Sequence, residues 1–236
     1  MAAPEPEAYL REHSHLPGPR GNLELLDAAA SSAAPADLER WAALAPEVAP
    51  TDTPGEFVAA VGTAGLGWLV AGGDRSRLLA MRRAASDPRW RVREAVAIGL
   101  QAWGDRDVHA LVDEMEGWAA GPPFEGRAAM AALCEPRLLR DRTVVARTLA
   151  ILGRLTDAVR SAPVRTAPDV RVLRQALGYG WSVAVAADPA IGLPAFTALR
   201  DDPDPDVGWI VRANLGKARL ARLLPETHAQ GSRPGR

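Results

Sequence analysis

The stretch that decides the fold is DPRWRVREAVAIGLQAW, residues 87–103. Beyond its opening turn the apolar residues recur three or four positions apart: Val92, Ala95, Val96, Gly99, Leu100 and Trp103. An α-helix turns once every ~3.6 residues, so this spacing places all of them along one side of a helix. The stretch therefore predicts a helix that buries one side against its neighbours.

The same spacing continues outward in both directions along the chain. Segments 107–119, 144–159 and 171–186 each carry a similar apolar stripe, and no run alternates like a strand over comparable length. Asp-Pro pairs at 87–88, 188–189 and 204–205 predict helix starts, because Asp accepts hydrogen bonds from first-turn amides and Pro has no amide to satisfy. We expect an all-α protein of short helices joined by short links.

A short motif repeats along the chain. The segment Trp90-Arg91-Val92-Arg93 recurs as Trp209-Ile210-Val211-Arg212, and both copies follow an Asp-Pro pair and are expected to open a helix. Weaker copies lie at residues 127–129 and 174–176. The arginines that mark the four copies are spaced by 34, 47 and 38 residues: Arg93, Arg127, Arg174 and Arg212. A period of this length is typical of stacked helix pairs, in which equivalent segments point the same way.

Segments 87–97 and 204–213 resemble HEAT repeats, in which an Asp-Pro turn leads into a second helix that opens with Val-Arg-x-x-Ala. The resemblance covers roughly residues 74–222. It implies an α-solenoid of stacked antiparallel helix pairs, an armadillo-type superhelix. The physical argument agrees, since one helix pair cannot bury its own apolar stripe whereas stacked pairs can.

Composition changes divide the chain into four parts. We expect a mobile N-terminal tail over residues 1–22, an N-terminal helical segment over 23–52, a HEAT-like array over 53–224 and a disordered C-terminal tail over 225–236. A loop is predicted over 46–54, which carries three prolines.

The uncharged stretch 57–73 is 17 residues long and contains five glycines. It is short and glycine-rich for a membrane span, so we expect a buried helix or helix pair and no membrane association.

Charge is uneven although the net charge is only -1. Residues 1–74 hold 3 basic against 11 acidic residues, and residues 75–174 hold 18 against 12. The basic middle is either a solvated face or an anion-binding surface. The protein as a whole is nearly neutral, so it creates no overall positive field that attracts nucleic acid.

Cys134 is the single cysteine, so an intrachain disulfide is excluded, and a cytoplasmic location fits. We expect its side chain to be small, apolar in behaviour and buried.

Signatures of the common enzyme sites are missing from the sequence. There is no Cys-x-x-Cys or His-Glu-x-x-His, no glycine-rich phosphate loop, and no Gly-x-Ser-x-Gly. We therefore expect no metal and no small-molecule cofactor. A monomer is the expected state.

One set of residues points to a binding groove. Trp90 and Glu94 are four positions apart, so they share one side of a helix. If equivalent helices line up side by side, the residues expected to line the groove with them are Arg93, Arg127, Arg174, Tyr179 and Arg212. The alternative is a structural role: the motif arginines bind acids of a neighbouring repeat such as Asp87 or Asp204, Trp90 packs between repeats, and Trp181 belongs to the core.

Trp90, Glu94, Arg127 and Tyr179 also resemble the groove of the AlkD-like DNA glycosylases, which are built of HEAT-like repeats. That resemblance implies excision of alkylated purines without a cofactor, with Trp90 and Glu94 catalytic and Arg127 on the DNA backbone. Glu94 stands where the family has Asp. Its side chain is one methylene longer, so its carboxylate lies farther from the helix backbone. Two functions stay open: a scaffold that binds a protein or DNA along its groove, and a DNA N-glycosylase.

Overall fold

The computed structural model describes residues 5–224, and every regular element in that range is helical. The all-α prediction is confirmed for this part of the chain. The helices are α1 (Pro6–Glu12), α2 (Leu23–Ser32), α3 (Pro35–Ala42), α4 (Pro54–Ala71), α5 (Leu78–Ala84), α6 (Trp90–Gly104), α7 (Val108–Ala119), α8 (Pro123–Leu133), α9 (Arg142–Arg160), α10 (Pro168–Ala187), α11 (Pro189–Thr197), α12 (Pro205–Leu215) and α13 (Ala218–Ala221).

The four helices predicted from apolar spacing are confirmed as α6, α7, α9 and α10. Each buries most of the stripe that the spacing defined, with Val108 and Ala176 partly buried, and Trp181 is buried in the core as expected. The loop predicted over 46–54 joins α3 to α4, which begins at Pro54.

Two of the three Asp-Pro helix starts are confirmed. Asp188 caps α11 by accepting from the amide of Ala190, and Asp204 caps α12 by accepting from the amides of Asp206 and Val207. In both cases the proline is the first helical residue, which has no intrahelical amide bond to lose.

The prediction that Asp87-Pro88 opens a helix directly is wrong. α6 begins two residues later at Trp90, with Arg89 in the cap position and no side-chain cap. The Asp87 carboxylate is engaged elsewhere, because it accepts from the amide of Arg89 at 2.8 Å and from its guanidinium at 2.7 Å. That buried guanidinium also donates to the carbonyl oxygen of Ala49, so the turn before α6 is tied to the loop before α4.

The even-numbered helices pack in succession: α4 on α6, α6 on α8, α8 on α10 and α10 on α12. We call this series the helix row. The odd-numbered helices α7, α9 and α11 also contact one another in order and pack against the row from one side. The main apolar core lies between these two sets of helices.

Helix α4 is the uncharged stretch of the sequence, and the prediction of a buried helix there is confirmed. It is the one helix among the described residues long and apolar enough to cross a membrane, but 78% of it is buried inside the protein. Helices α1, α2, α3 and α6 surround it. It crosses α6 closely, since a Cβ built on Gly67 would lie 2.2 Å from the backbone of Gly99.

The expectation of a mobile tail over 1–22 is wrong for residues 5–22. Residues 6–12 form α1, and Leu10 and Leu16 are buried in a second apolar cluster with Phe57 of α4. Polar bonds fix the segment as well: Gly18 donates its amide to Asp52 at 3.1 Å and accepts from Arg91 at 2.7 Å. Residues 1–4 and the predicted C-terminal tail 225–236 lie outside the described residues.

Candidate functional site

A cavity of about 280 Å³ lies at the start of α6. Trp90, Glu94 and Ile98 line it from α6, four positions apart, as expected for one side of a helix. The side chains of Phe57 and Ala60 contribute an apolar floor from α4. The sequence prediction that Trp90 and Glu94 share one surface agrees with this placement.

The other wall of the cavity comes from the N-terminal part of the chain. Its residues are Pro19, Arg20, Gly21, Leu23 and Leu26. A second cavity, of about 490 Å³, shares Leu23, Leu26 and Ile98 with the first. It extends along α6 to Gln101 and reaches Arg137 in the turn after α8. Together the two cavities form a groove between α2 and α6.

Trp90 is held at the cavity mouth and remains 46% exposed. The guanidinium of Arg91 lies 4.5 Å from its ring centre, a cation–π contact. Arg91 is anchored in turn by the buried carboxylate of Glu56, at 2.9 Å, and by Gly18. The ring orientation therefore depends on a charge pair that joins α4, α6 and the N-terminal segment.

Glu94 forms an ion pair with Arg127 of α8, the residue that sequence spacing placed on the equivalent helix. Arg127 also donates to the carbonyl oxygen of Arg93 at 3.2 Å. The guanidinium side chain is mostly buried whereas the carboxylate side chain of Glu94 is 46% exposed. One carboxylate oxygen, Oε2, accepts no hydrogen bond from the described residues and so stays available to a ligand.

Arg93 lies on the α8 side of α6. Its guanidinium is 5.0 Å from the ring centre of Phe124 and donates to the carbonyl oxygens of Asp87 and Pro88. Burial and the nearby charge of Arg127 lower the pKa of Arg93. It has no carboxylate within ion-pair distance in residues 5–224, while Asp87, Glu94 and Glu56 act on it from farther away and oppose the lowering of its pKa.

The remaining predicted groove residues lie on α10 and α12 and do not line this cavity. Arg174 pairs with Asp206 at 2.5 Å and lies 4.8 Å from the ring centre of Trp209. Tyr179 is exposed and accepts a hydrogen bond from Arg219 at 2.8 Å. Arg212 is exposed without an acidic partner in the described range. The structure therefore brings Trp90, Glu94 and Arg127 together and places Tyr179 in a separate group.

Sequence reasoning missed the residues of the N-terminal wall. Pro19 and Arg20 fell within a segment expected to be mobile, and Leu23 and Leu26 were assigned to a separate helical segment. The available signal was the isolated pair Leu10 and Leu16, whose burial requires a partner in an otherwise polar stretch.

The single cysteine lines neither of the two cavities. Cys134 is buried, and desolvation raises its pKa to about 12, so it is a protonated thiol at neutral pH. In the part of the chain that the structure describes, no three His, Cys, Asp or Glu side chains are close enough to share a metal ion.

Comparisons with protein-family models, with curated proteins and with solved structures found no match to this chain.

Proposed function

We propose that the protein is a HEAT-like α-solenoid scaffold that binds nucleic acid along the solvent-facing side of the helix row. The inner row helices have a row neighbour on either side and odd-numbered helices against them, which leaves one side open. We name this the open side; on α10 it carries Arg171, Gln175 and Tyr179, exposed and four positions apart. In a solenoid these open sides form one continuous surface.

The observation that carries the proposal is a surplus of unpaired cations on the row helices α6, α10 and α12. Arg127 and Arg174 are neutralised by Glu94 and Asp206. Arg93, Arg171 and Arg212 have no carboxylate within ion-pair distance among residues 5–224. Arginines without a carboxylate partner suit a phosphate backbone better than an uncharged protein surface.

The test is DNA binding as a function of salt, measured by anisotropy on a short labelled duplex. Each phosphate contact contributes about 0.9 to the slope of log affinity against log salt. The double variant Arg171→Gln/Arg212→Gln should reduce that slope by about 1.8. The matched control Arg83→Gln/Arg154→Gln removes two exposed charges from α5 and α9 and should leave it unchanged.

Two outcomes would overturn the proposal. One is an absence of binding even at low salt, which would favour a protein partner. The other is an equal effect of the control double variant, which would mean that the open side is not the binding surface.

A second candidate function is DNA N-glycosylase activity of the AlkD-like type. The observation that favours it is that Trp90 and Glu94 line one cavity with an apolar floor. In such a reaction the bond between the sugar and the alkylated base breaks, and its electron pair leaves with the base. The carboxylate of Glu94 and the ring of Trp90 would stabilise the cationic sugar until water adds to it and releases a proton.

Release of methylated purine from alkylated DNA tests this candidate. Glu94→Gln should abolish release while the circular dichroism spectrum stays helical, and Glu24→Gln, an exposed acid of α2 outside the cavity, should retain it. If the unmodified protein releases no base, the candidate is discarded and the scaffold proposal stands unaffected.

A further inference from the structure

Three side chains converge at the far end of the helix row. Tyr179 of α10 is 43% exposed. Arg219 of α13 donates from Nη2 to the Tyr179 hydroxyl at 2.8 Å, and its Cζ lies 4.9 Å from the ring centre. Lys217, just after α12, places Nζ 5.7 Å from the same ring centre. A single phenol therefore contacts two cations that come from a segment about 40 residues away in sequence.

The two charges are not neutralised by neighbouring acids. Neither Lys217 nor Arg219 has a carboxylate within ion-pair distance in the described range 5–224. Cation–π attraction to Tyr179 offsets part of their mutual repulsion but satisfies few of their donors. Arg219 makes one side-chain hydrogen bond and Lys217 makes none to the described residues, so most of their N–H groups remain available to an anion.

We infer that Tyr179, Lys217 and Arg219 form a seat for a phosphodiester group of the bound nucleic acid. The inference rests on the proposed function and assigns a contact point to it. A phosphodiester offers two unesterified oxygens that can accept from both cations at once, and charge-assisted bonds of this kind are the strong ones. The unpaired Arg171 lies on the same side of α10 as Tyr179, eight positions earlier, so positive charge continues beyond one anion, which favours a polymer backbone.

The composition of the chain supplies a direct probe of this seat. Lys217 is the only lysine, so an amine-acylating reagent can modify just its side chain and the α-amino terminus. Mass spectrometry then reports the acylation rate of Lys217 by itself. A saturating concentration of the same DNA duplex should slow this reaction at least several-fold and leave the terminal amine unaffected. Inorganic phosphate should protect only at much higher concentration.

A variant pair tests the seat without chemistry on the lysine. Arg219→Gln should lower the salt slope of duplex binding by about 0.9, the contribution of one phosphate contact. Arg83→Gln, which removes an exposed charge from α5, should not change it. Both positions are at the surface, and circular dichroism checks that the helices are retained.

The outcomes separate this inference from the proposed function. DNA binding that leaves Lys217 fully reactive overturns the seat and leaves the scaffold proposal intact. Protection by phosphate together with no DNA binding overturns the nucleic-acid assignment of both. Protection by DNA that is lost in Arg219→Gln supports both.

Discussion

Trp90 and Trp209 begin nearly identical motifs, yet the structure gives them different surroundings. Trp90 is the first residue of α6, and its ring lies half exposed at the mouth of a cavity. Trp209 is the fifth residue of α12, and its ring packs on Gly178 of α10 beneath the guanidinium of Arg174. The prediction that both motifs open a helix is therefore wrong for the second copy.

The helix start and the preceding row helix account for the difference. α12 begins at Pro205, capped by Asp204, which places Trp209 a full turn inside the helix. Gly178 then leaves room for its ring against α10. Below Trp90 the preceding row helix offers Phe57 and Ala60, which remain as a cavity floor. The motif thus predicts which helices belong to the row. Whether its tryptophan is packed or exposed depends on where the helix begins and on which residues the preceding row helix places beneath the ring.

The largest expected effect on the free energy of unfolding concerns how closely the row helices approach each other, α4 and α6 at one end and α10 and α12 at the other. A methyl group added at Gly67 would lie 2.2 Å from the backbone of Gly99, whereas one added at Gly178 would lie 2.8 Å from the outer edge of the Trp209 side chain. We expect Gly67→Ala to lower the free energy of unfolding by about 3 kcal/mol, the upper range for overpacking. Gly178→Ala should lower it by at most about 1 kcal/mol, since the ring can shift and Ala favours the helix.

Urea denaturation followed by circular dichroism measures both changes. A larger loss at Gly178 than at Gly67 would show that α10 and α12, not α4 and α6, form the tighter pair.

A smaller effect is expected from removing each tryptophan ring. Trp209→Ala deletes a ring that packs on the core and should destabilise the protein by about 2 kcal/mol, less than a fully buried tryptophan because part of the ring is exposed. Trp90→Ala should change the free energy of unfolding by no more than about 0.5 kcal/mol. Equal losses in urea denaturation would contradict the proposed difference between the two ends.

Much of the fold could be predicted because its signals are local. Apolar spacing identified α6, α7, α9 and α10, and the lack of charge identified α4 as a buried helix. The N-terminal segment could not be predicted in this way. Its order comes from partners far along the chain, since Gly18 is held by Asp52 and Arg91, and such partners leave no periodic pattern.

The candidate site likewise has features that local sequence patterns predicted and features that they did not. The spacing of Trp90 and Glu94 predicted their shared surface, and the repeat predicted that Arg127 would lie nearby. The neutralisation of Arg174 by Asp206 and the convergence of Lys217 and Arg219 on Tyr179 depend on where α12 begins and ends. A helix start displaced by a few residues redirects every side chain that follows, and sequence patterns locate such starts least well.

The smallest expected difference between the two ends concerns the caps themselves, since Asp204 caps α12 while α6 begins without a side-chain cap. Burial raises the pKa of Asp204, but the guanidinium of Arg165 at 2.6 Å and the amides of Val207 and Asp206 outweigh it and lower the pKa below its ordinary value. A carboxyl that is more acidic in the folded state stabilises the protein above its unfolded pKa of about 3.9. That contribution is lost as the pH falls through the folded value.

Asp204→Asn keeps an oxygen that can cap the helix and removes the charge. We expect it to lower the free energy of unfolding by about 0.5–1 kcal/mol at neutral pH, within the range for a helix cap. The difference from the unmodified protein should shrink as the carboxyl of Asp204 is protonated, which urea denaturation at a series of acidic pH values can follow. Asp107→Asn is the matched control, because Asp107 caps α7 through the amide of Ala110 with no guanidinium within ion-pair distance among the described residues. A loss at Asp204 that stays constant down to the lowest pH would show that the carboxylate charge contributes nothing, and that shape alone fixes where α12 begins and where Trp209 points.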